Sequence, residues 1–131
     1  MLLNLTDLSP EPLQTQIIRQ VRASILAGEL EAGTSLPSIR ALATEQHVSV
    51  ITVQRAYESL EREGLIHSRR GKGFFVSELH DHEKKEMAKK RLTERIEPQI
   101  AAALLEGLPP QDVKAIVESL LKNSTRPGGV K

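Results

Sequence analysis

Arg69-Arg70-Gly71-Lys72-Gly73 puts three cations and two glycines in consecutive positions, within the stretch HSRRGKGFFV. That combination suits a close approach to phosphate. The cations neutralise charge in a narrow, electronegative groove, and glycine lets the backbone come near or take a positive φ. The same residues would equally suit a solvated hairpin that is basic only for solubility. A nucleotide-phosphate loop does not fit, because G-x-x-x-x-G-K-[ST] is absent. The other cluster with ligand chemistry is His80-Asp81-His82-Glu83. HDHE could hold a metal, but neighbouring places on a strand or at a helix start splay such side chains. Acids at a helix N-terminus also complement its dipole. The expectation is no metal and no cofactor. No nucleophile stands beside a paired base, so no enzyme activity is expected.

Composition narrows the classes further. The chain has 131 residues, enough for one domain or one small domain with an appendage. Two Phe, one Tyr and no Trp leave the core to Leu, Ile, Val and Ala, which favours helices over a β-sandwich. The absence of cysteine excludes disulfides and zinc ribbons, and suits a reducing cytoplasm. The opening MLLNLTDLSPEPL lacks the cationic start and long apolar run of a signal peptide. No apolar stretch approaches the roughly 20 residues that a membrane span needs, so no membrane partner is expected. Net charge is +1, from 18 Lys+Arg against 17 Asp+Glu. Bulk charge therefore makes no case for nucleic acid, and any case rests on where the cations sit.

The elements that would position the cationic tip follow from hydrophobic spacing. Ile17, Val21 and Ile25 recur every four residues from Leu13 to Leu26, which predicts an amphipathic helix. Gly28 is placed to end it, and a turn-rich connection GELEAGTS follows. Pro37 and Ser38 open a short second helix that stops near Gln46-His47, with Ser38 as N-cap. A turn ending at Ser49 leads to a third helix from about Val50 to Glu63, stopped by Gly64. Its Val53, Ala56, Tyr57 and Leu60 share one side, opposite Ile51, Arg55, Glu58 and Arg62. LIHSRR and FFV are short and β-prone, and the glycine-rich tip joins them into a hairpin. Helix, helix, tight turn, helix, hairpin is the order of a winged helix-turn-helix.

Beyond Leu79 the chain is highly charged, then carries an apolar stripe of Leu92, Ile96, Ile100 and Leu104. Pro98 lies within that stripe and should kink or interrupt the helix. After Pro109-Pro110 a last helix carries Val113, Ile116, Val117, Leu120 and Leu121. These stripes are more apolar surface than two short helices hide against each other, so a homodimer is expected. The other arrangement is that both helices fold back on the winged domain. The expected architecture is mainly α with a small β-hairpin: a winged helix-turn-helix over residues 11–77, a helical dimerisation segment over 78–123, and a flexible tail over 124–131.

The residues from Pro12 to Val76, about half the chain, resemble the DNA-binding domain of the GntR family of bacterial transcription regulators. Separate elements agree in order: PL-x-x-Q, G-x-L-x-x-G-x-x-LPS-x-R-x-LA, V-S-x-x-TV-x-RAY-x-x-L, EGLI and RRGKG-x-FV. The short helical C-terminal part is similar to the YtrA-type subgroup. The resemblance implies a small dimer of the kind often encoded beside ABC-transporter genes. The expectation is a regulator, taken as a repressor with activation left open, that binds double-stranded DNA as a homodimer; two-fold symmetry then makes the operator near-palindromic, and a transporter operon is its expected target.

The expected DNA contacts are Ser38 and Arg40 on the second helix, and Ser49, Val50, Ile51, Thr52, Gln54 and Arg55 on the third. Arg40, Thr52 and Arg55 match the family in place, whereas Val50 and Ile51 stand where many relatives carry polar residues or proline. Arg69, Arg70, Gly71, Lys72 and Gly73 complete the set on the wing. Several have a blander reading. Arg40 would pair with Glu45, Arg55 with Glu58, and Thr52 would serve only the first helical turn. Ile51 points outward and either packs on a thymine methyl group or has no role. Ala32 stands where relatives carry proline, and His47 where they carry a turn glycine. The effector is unknown; the roughly 45 residues beyond the wing are too few to enclose a private pocket of about 300–1,000 Å³. Two further functions stay open: a winged helix that binds protein without DNA, and a metal-binding protein built on HDHE.

Overall fold

A computed structural model describes residues 1–124. The expected flexible tail therefore lies, from residue 125 onward, outside the described residues. The elements are α1 (Leu13–Leu26), α2 (Ile39–Gln46), α3 (Val50–Arg62), β1 (Ile66–Arg69), β2 (Gly73–Val76), α4 (Asp81–Leu105) and α5 (Pro110–Asn123). They divide into two compact units, Met1–Glu86 and Met87–Lys131.

The first unit is a winged helix. Ile17, Val21 and Ile25 of α1 are buried at 0–1% exposure together with Leu42 of α2 and Val53, Ala56, Tyr57 and Leu60 of α3. Leu65, Ile66 and Val76 continue this core into the hairpin. Gly64, at φ +81°, ends α3 and turns the chain into β1. The strands pair antiparallel with Ile66 opposite Val76 and Arg69 opposite Gly73.

One partner of the hairpin was not foreseen. The segment 33–36, expected as plain connection, lies along the free edge of β2. The Gly33 amide donates to the Val76 carbonyl at 2.8 Å, Val76 returns a bond to Thr34 at 2.9 Å, and Leu36 donates to Phe74 at 2.9 Å. A single antiparallel bridge joins Ser35 to Phe75. Backbone pairing of this kind leaves little mark on side-chain pattern, apart from the buried Leu36.

A second unforeseen feature is Gln16, only 2% exposed in the otherwise apolar stripe of α1. Its Oε1 accepts the Thr6 amide, and its Nε2 donates to the carbonyls of Thr6 and Glu11 at 2.7 and 2.8 Å. One side chain thus satisfies three backbone groups that would be costly to bury unpaired. Gln20 grips the Asn4 amide and carbonyl in the same way, so residues 4–11 are tied down along α1.

The helix carrying Pro98 is not interrupted: α4 runs unbroken from Asp81 to Leu105 with Pro98 inside. Proline removes one ladder amide, and the bonds on either side are enough to carry the helix through it. Asp81 and Glu83 occupy the first turn of α4. Pro110 opens α5, where a missing amide costs nothing. No residue of α4 or α5 is buried.

Candidate nucleic-acid interface

The turn between α2 and α3 is built from caps. Ser38 Oγ accepts the Ala41 amide at 3.0 Å and starts α2. Helix α2 ends at His47, whose backbone is left-handed at φ 58°, ψ 44°. Val48 donates to the Ala43 carbonyl and His47 to that of Thr44, the two bonds of a Schellman ending. His47 is the one non-glycine residue with positive φ among those described. Ser49 then caps α3, accepting the Thr52 amide at 3.1 Å, while the Ser49 and Thr52 hydroxyls lie 2.7 Å apart. The hydroxyls expected at DNA are thus engaged in starting helices, and Thr52 serves the first turn of α3.

Val50 and Ile51 follow the cap and stand out from the helix start, 43% and 48% exposed. Arg55 is exposed, and two positions separate it from buried Tyr57, roughly 200° around the helix. The pairing of Arg55 with Glu58 is not formed; Glu58 instead accepts from Gln54 Nε2 at 3.3 Å. Nor does Arg40 pair with Glu45. Among the described residues, Arg40, Arg55, Arg70 and Lys72 have no ion-pair partner.

The wing tip turns between Arg69 and Lys72, with the Lys72 amide donating to the Arg69 carbonyl at 2.9 Å. Gly71, third in that turn, has φ +73°, a conformation that a Cβ disfavours. Arg70 and Lys72 are exposed. Arg69 lies with its guanidinium carbon 4.6 Å from the centre of the Phe75 ring, a cation–π contact that directs its side chain along the strand.

Tyr57 joins these pieces. Its hydroxyl donates to the Pro37 carbonyl at 2.8 Å, next to the Ser38 cap, and its ring meets Phe74 edge-on at 5.0 Å. Burial, with a smaller contribution from the negative charge of Glu45, pushes its phenol pKa well above the ordinary tyrosine value. Sequence spacing placed Tyr57 only among core residues; nothing in the pattern marked its hydroxyl. Two carboxylates add to the frame. Glu63 receives a bidentate bond from Arg22 of α1 at 2.8 and 3.0 Å, and Glu61 accepts the Ser68 amide and hydroxyl of β1.

The expected dimer residues lie on α4 and α5. An apolar groove of about 230 Å³ runs between these helices, lined by Ile96, Ile100, Val113, Ile116, Val117 and Leu120 among others. Leu92, Leu104 and Leu121 are also exposed. In the HDHE stretch, Glu83 Oε1 accepts the His80 amide at 2.8 Å, so this acid closes the start of α4. Among the described residues, no three His, Cys, Asp or Glu side chains gather as metal ligands, and no helix is long and apolar enough to cross a membrane.

Comparison with known proteins agrees with this geometry. The model for bacterial regulatory proteins of the gntR family matches residues 13–76. The chain is 44% identical over 70 residues to the HTH-type transcriptional repressor YtrA of Bacillus subtilis, covering 53% of this chain and 54% of that protein. The chain thus spans about half the length of that relative. It is 31% identical over 99 residues to the uncharacterized HTH-type transcriptional regulator YhcF of the same organism, covering 76% of this chain and 74% of that one. A solved GntR family transcriptional regulator from Listeria monocytogenes superposes with a TM-score of 0.71 at 29% identity, covering 85% of this chain and 96% of that one.

Proposed function

Because the chain belongs to the gntR family of bacterial regulatory proteins, and is a DNA-binding transcription regulator rather than an enzyme, we propose that it is a repressor that grips a near-palindromic operator as a homodimer. The observation that carries this reading is the Tyr57 junction. It holds the start of α2, the recognition helix α3 and the base of the wing in one arrangement. Exposed, unpaired cations project from each of those elements: Arg40, Arg55, and Arg70 with Lys72. Arg55 reads a base edge in the major groove, where arginine makes bidentate bonds to guanine. Arg40 and the wing cations hold phosphates or the minor groove and set register.

Two copies meet through the apolar faces of α4 and α5. That no residue of either helix is buried, while Leu92, Leu120 and Leu121 are 60–70% exposed, supports such a seam. A two-fold dimer presents its two recognition helices to half-sites about 34–36 Å apart, or a multiple of that. Repression rests on the likeness to the YtrA repressor; a transporter operon as target is what the resemblance to the YtrA-type subgroup implies.

The test is a mobility shift with duplexes selected from a random pool, repeated at rising salt. Each phosphate neutralised contributes about −0.9 to the slope of log affinity against log salt. A steep slope and a two-fold symmetric selected sequence are expected. A flat dependence between low and moderate salt would sink the reading.

A further inference from the structure

The first turn of α3 offers DNA an apolar tip. Of the polar residues there, Ser49 accepts the Thr52 amide through its hydroxyl, and the Thr52 hydroxyl bonds to that of Ser49. Between them Val50 and Ile51 are 43% and 48% exposed, in a unit whose other large apolar side chains on α1, α2 and α3 are buried or half-buried. Ile51 is not among the residues of the buried core. The N-terminal residues of a recognition helix are those that reach base edges in the major groove. The one apolar group on those edges is the C5-methyl of thymine. The geometry points to Ile51 as a specificity residue that packs on a thymine methyl group, so that each operator half-site carries thymine at one fixed position.

This inference rests on the DNA-binding reading above, and its test separates the two. A preferred operator is first recovered from a random duplex pool with the unaltered chain. Each thymine in it is then replaced, one position at a time, by uracil, which keeps every hydrogen-bonding group and lacks only the methyl. Burial of one methyl-sized group corresponds to about fourfold in affinity. One position in each half-site should therefore weaken binding by about fourfold when it becomes uracil, and by about the product when both half-sites change. Ile51→Ala should lose affinity for the thymine operator by a comparable factor and become indifferent to uracil at that position. Because Ile51 is exposed, the variant should keep the melting temperature of the parent, and measuring it excludes a folding defect. Equal affinity for thymine and uracil at every position overturns the contact. So does a uracil penalty that persists undiminished in Ile51→Ala. Failure of the unaltered chain to retain any duplex overturns instead the DNA-binding reading on which the inference stands.

Discussion

The Tyr57 hydroxyl and the Pro37 carbonyl lie 2.8 Å apart, which fastens the recognition helix to the residue preceding the Ser38 cap. A neutral phenol is needed for that bond, since only the protonated group donates.

The ionisation of Tyr57 should therefore report folding. Burial raises its pKa in the folded chain, while in the unfolded chain it ionises at about 10. Above that value the unfolded state binds fewer protons than the folded one, so stability is full below it and falls as pH rises through it. Tyr57 is the sole tyrosine and there is no tryptophan, so phenolate absorbance reads it directly. The folded protein should stay protonated beyond the ordinary tyrosine range, and Tyr57→Phe should flatten that limb of the stability profile. A phenolate signal at the ordinary value in folded protein would refute the account.

The two kinds of cation should behave differently. Arg55→Ala should cost about 1–3 kcal/mol at the preferred operator and relax base preference at the position it reads. Lys72→Ala should weaken all sequences about equally and lower the salt slope by about 1. Selection from a random pool, compared between the variants, checks both. Unchanged preference in Arg55→Ala would remove its assigned role.

His47 bears left-handed strain at an exposed position. A residue with a Cβ loses roughly 1–2 kcal/mol there, and glycine does not. His47→Gly should stabilise the chain by about 1 kcal/mol or somewhat less, since glycine also gains freedom when unfolded. Chemical denaturation measures this, and a fall in stability would contradict it.

The helical segment should be needed for assembly, not for folding. Among the described residues, all the buried ones lie between Gln16 and Val76, so a chain ended at Glu78 should fold as a monomer. It should bind the full operator far more weakly, because linked half-sites raise overall affinity by about 10²–10⁴. Ile100→Asp should imitate it by placing a charge in the apolar groove. An intact chain that sediments as a monomer at micromolar concentration, with the short chain binding equally tightly, would end the dimer mechanism.

Much of the winged helix was legible because its signals are local. Ile17, Val21 and Ile25 at helical spacing, Ser38 and Ser49 before apolar runs, and glycines beside cations each dictate structure within a few residues. What escaped depends on distant partners. The pairing of residues 33–36 with β2 is backbone to backbone, and the burial of Gln16 depends on residues 4–11 returning along α1. Pro98 suggests a kink or a break, and α4 shows no break there. At the interface, the positions of Arg40, Arg55 and the wing were readable, but the hydroxyl that holds their elements together was not.

The strap formed by residues 33–36 has a consequence for the thermodynamics of docking. Fixing one residue's backbone costs about 1–2 kcal/mol of conformational entropy. Both edges of β2 are already hydrogen-bonded, one to β1 and the other to that strap. Only the tip, Arg70 to Lys72, is left to lose freedom when it settles into a groove. The attraction of its cations is then spent on the duplex and not on ordering the arm that carries them.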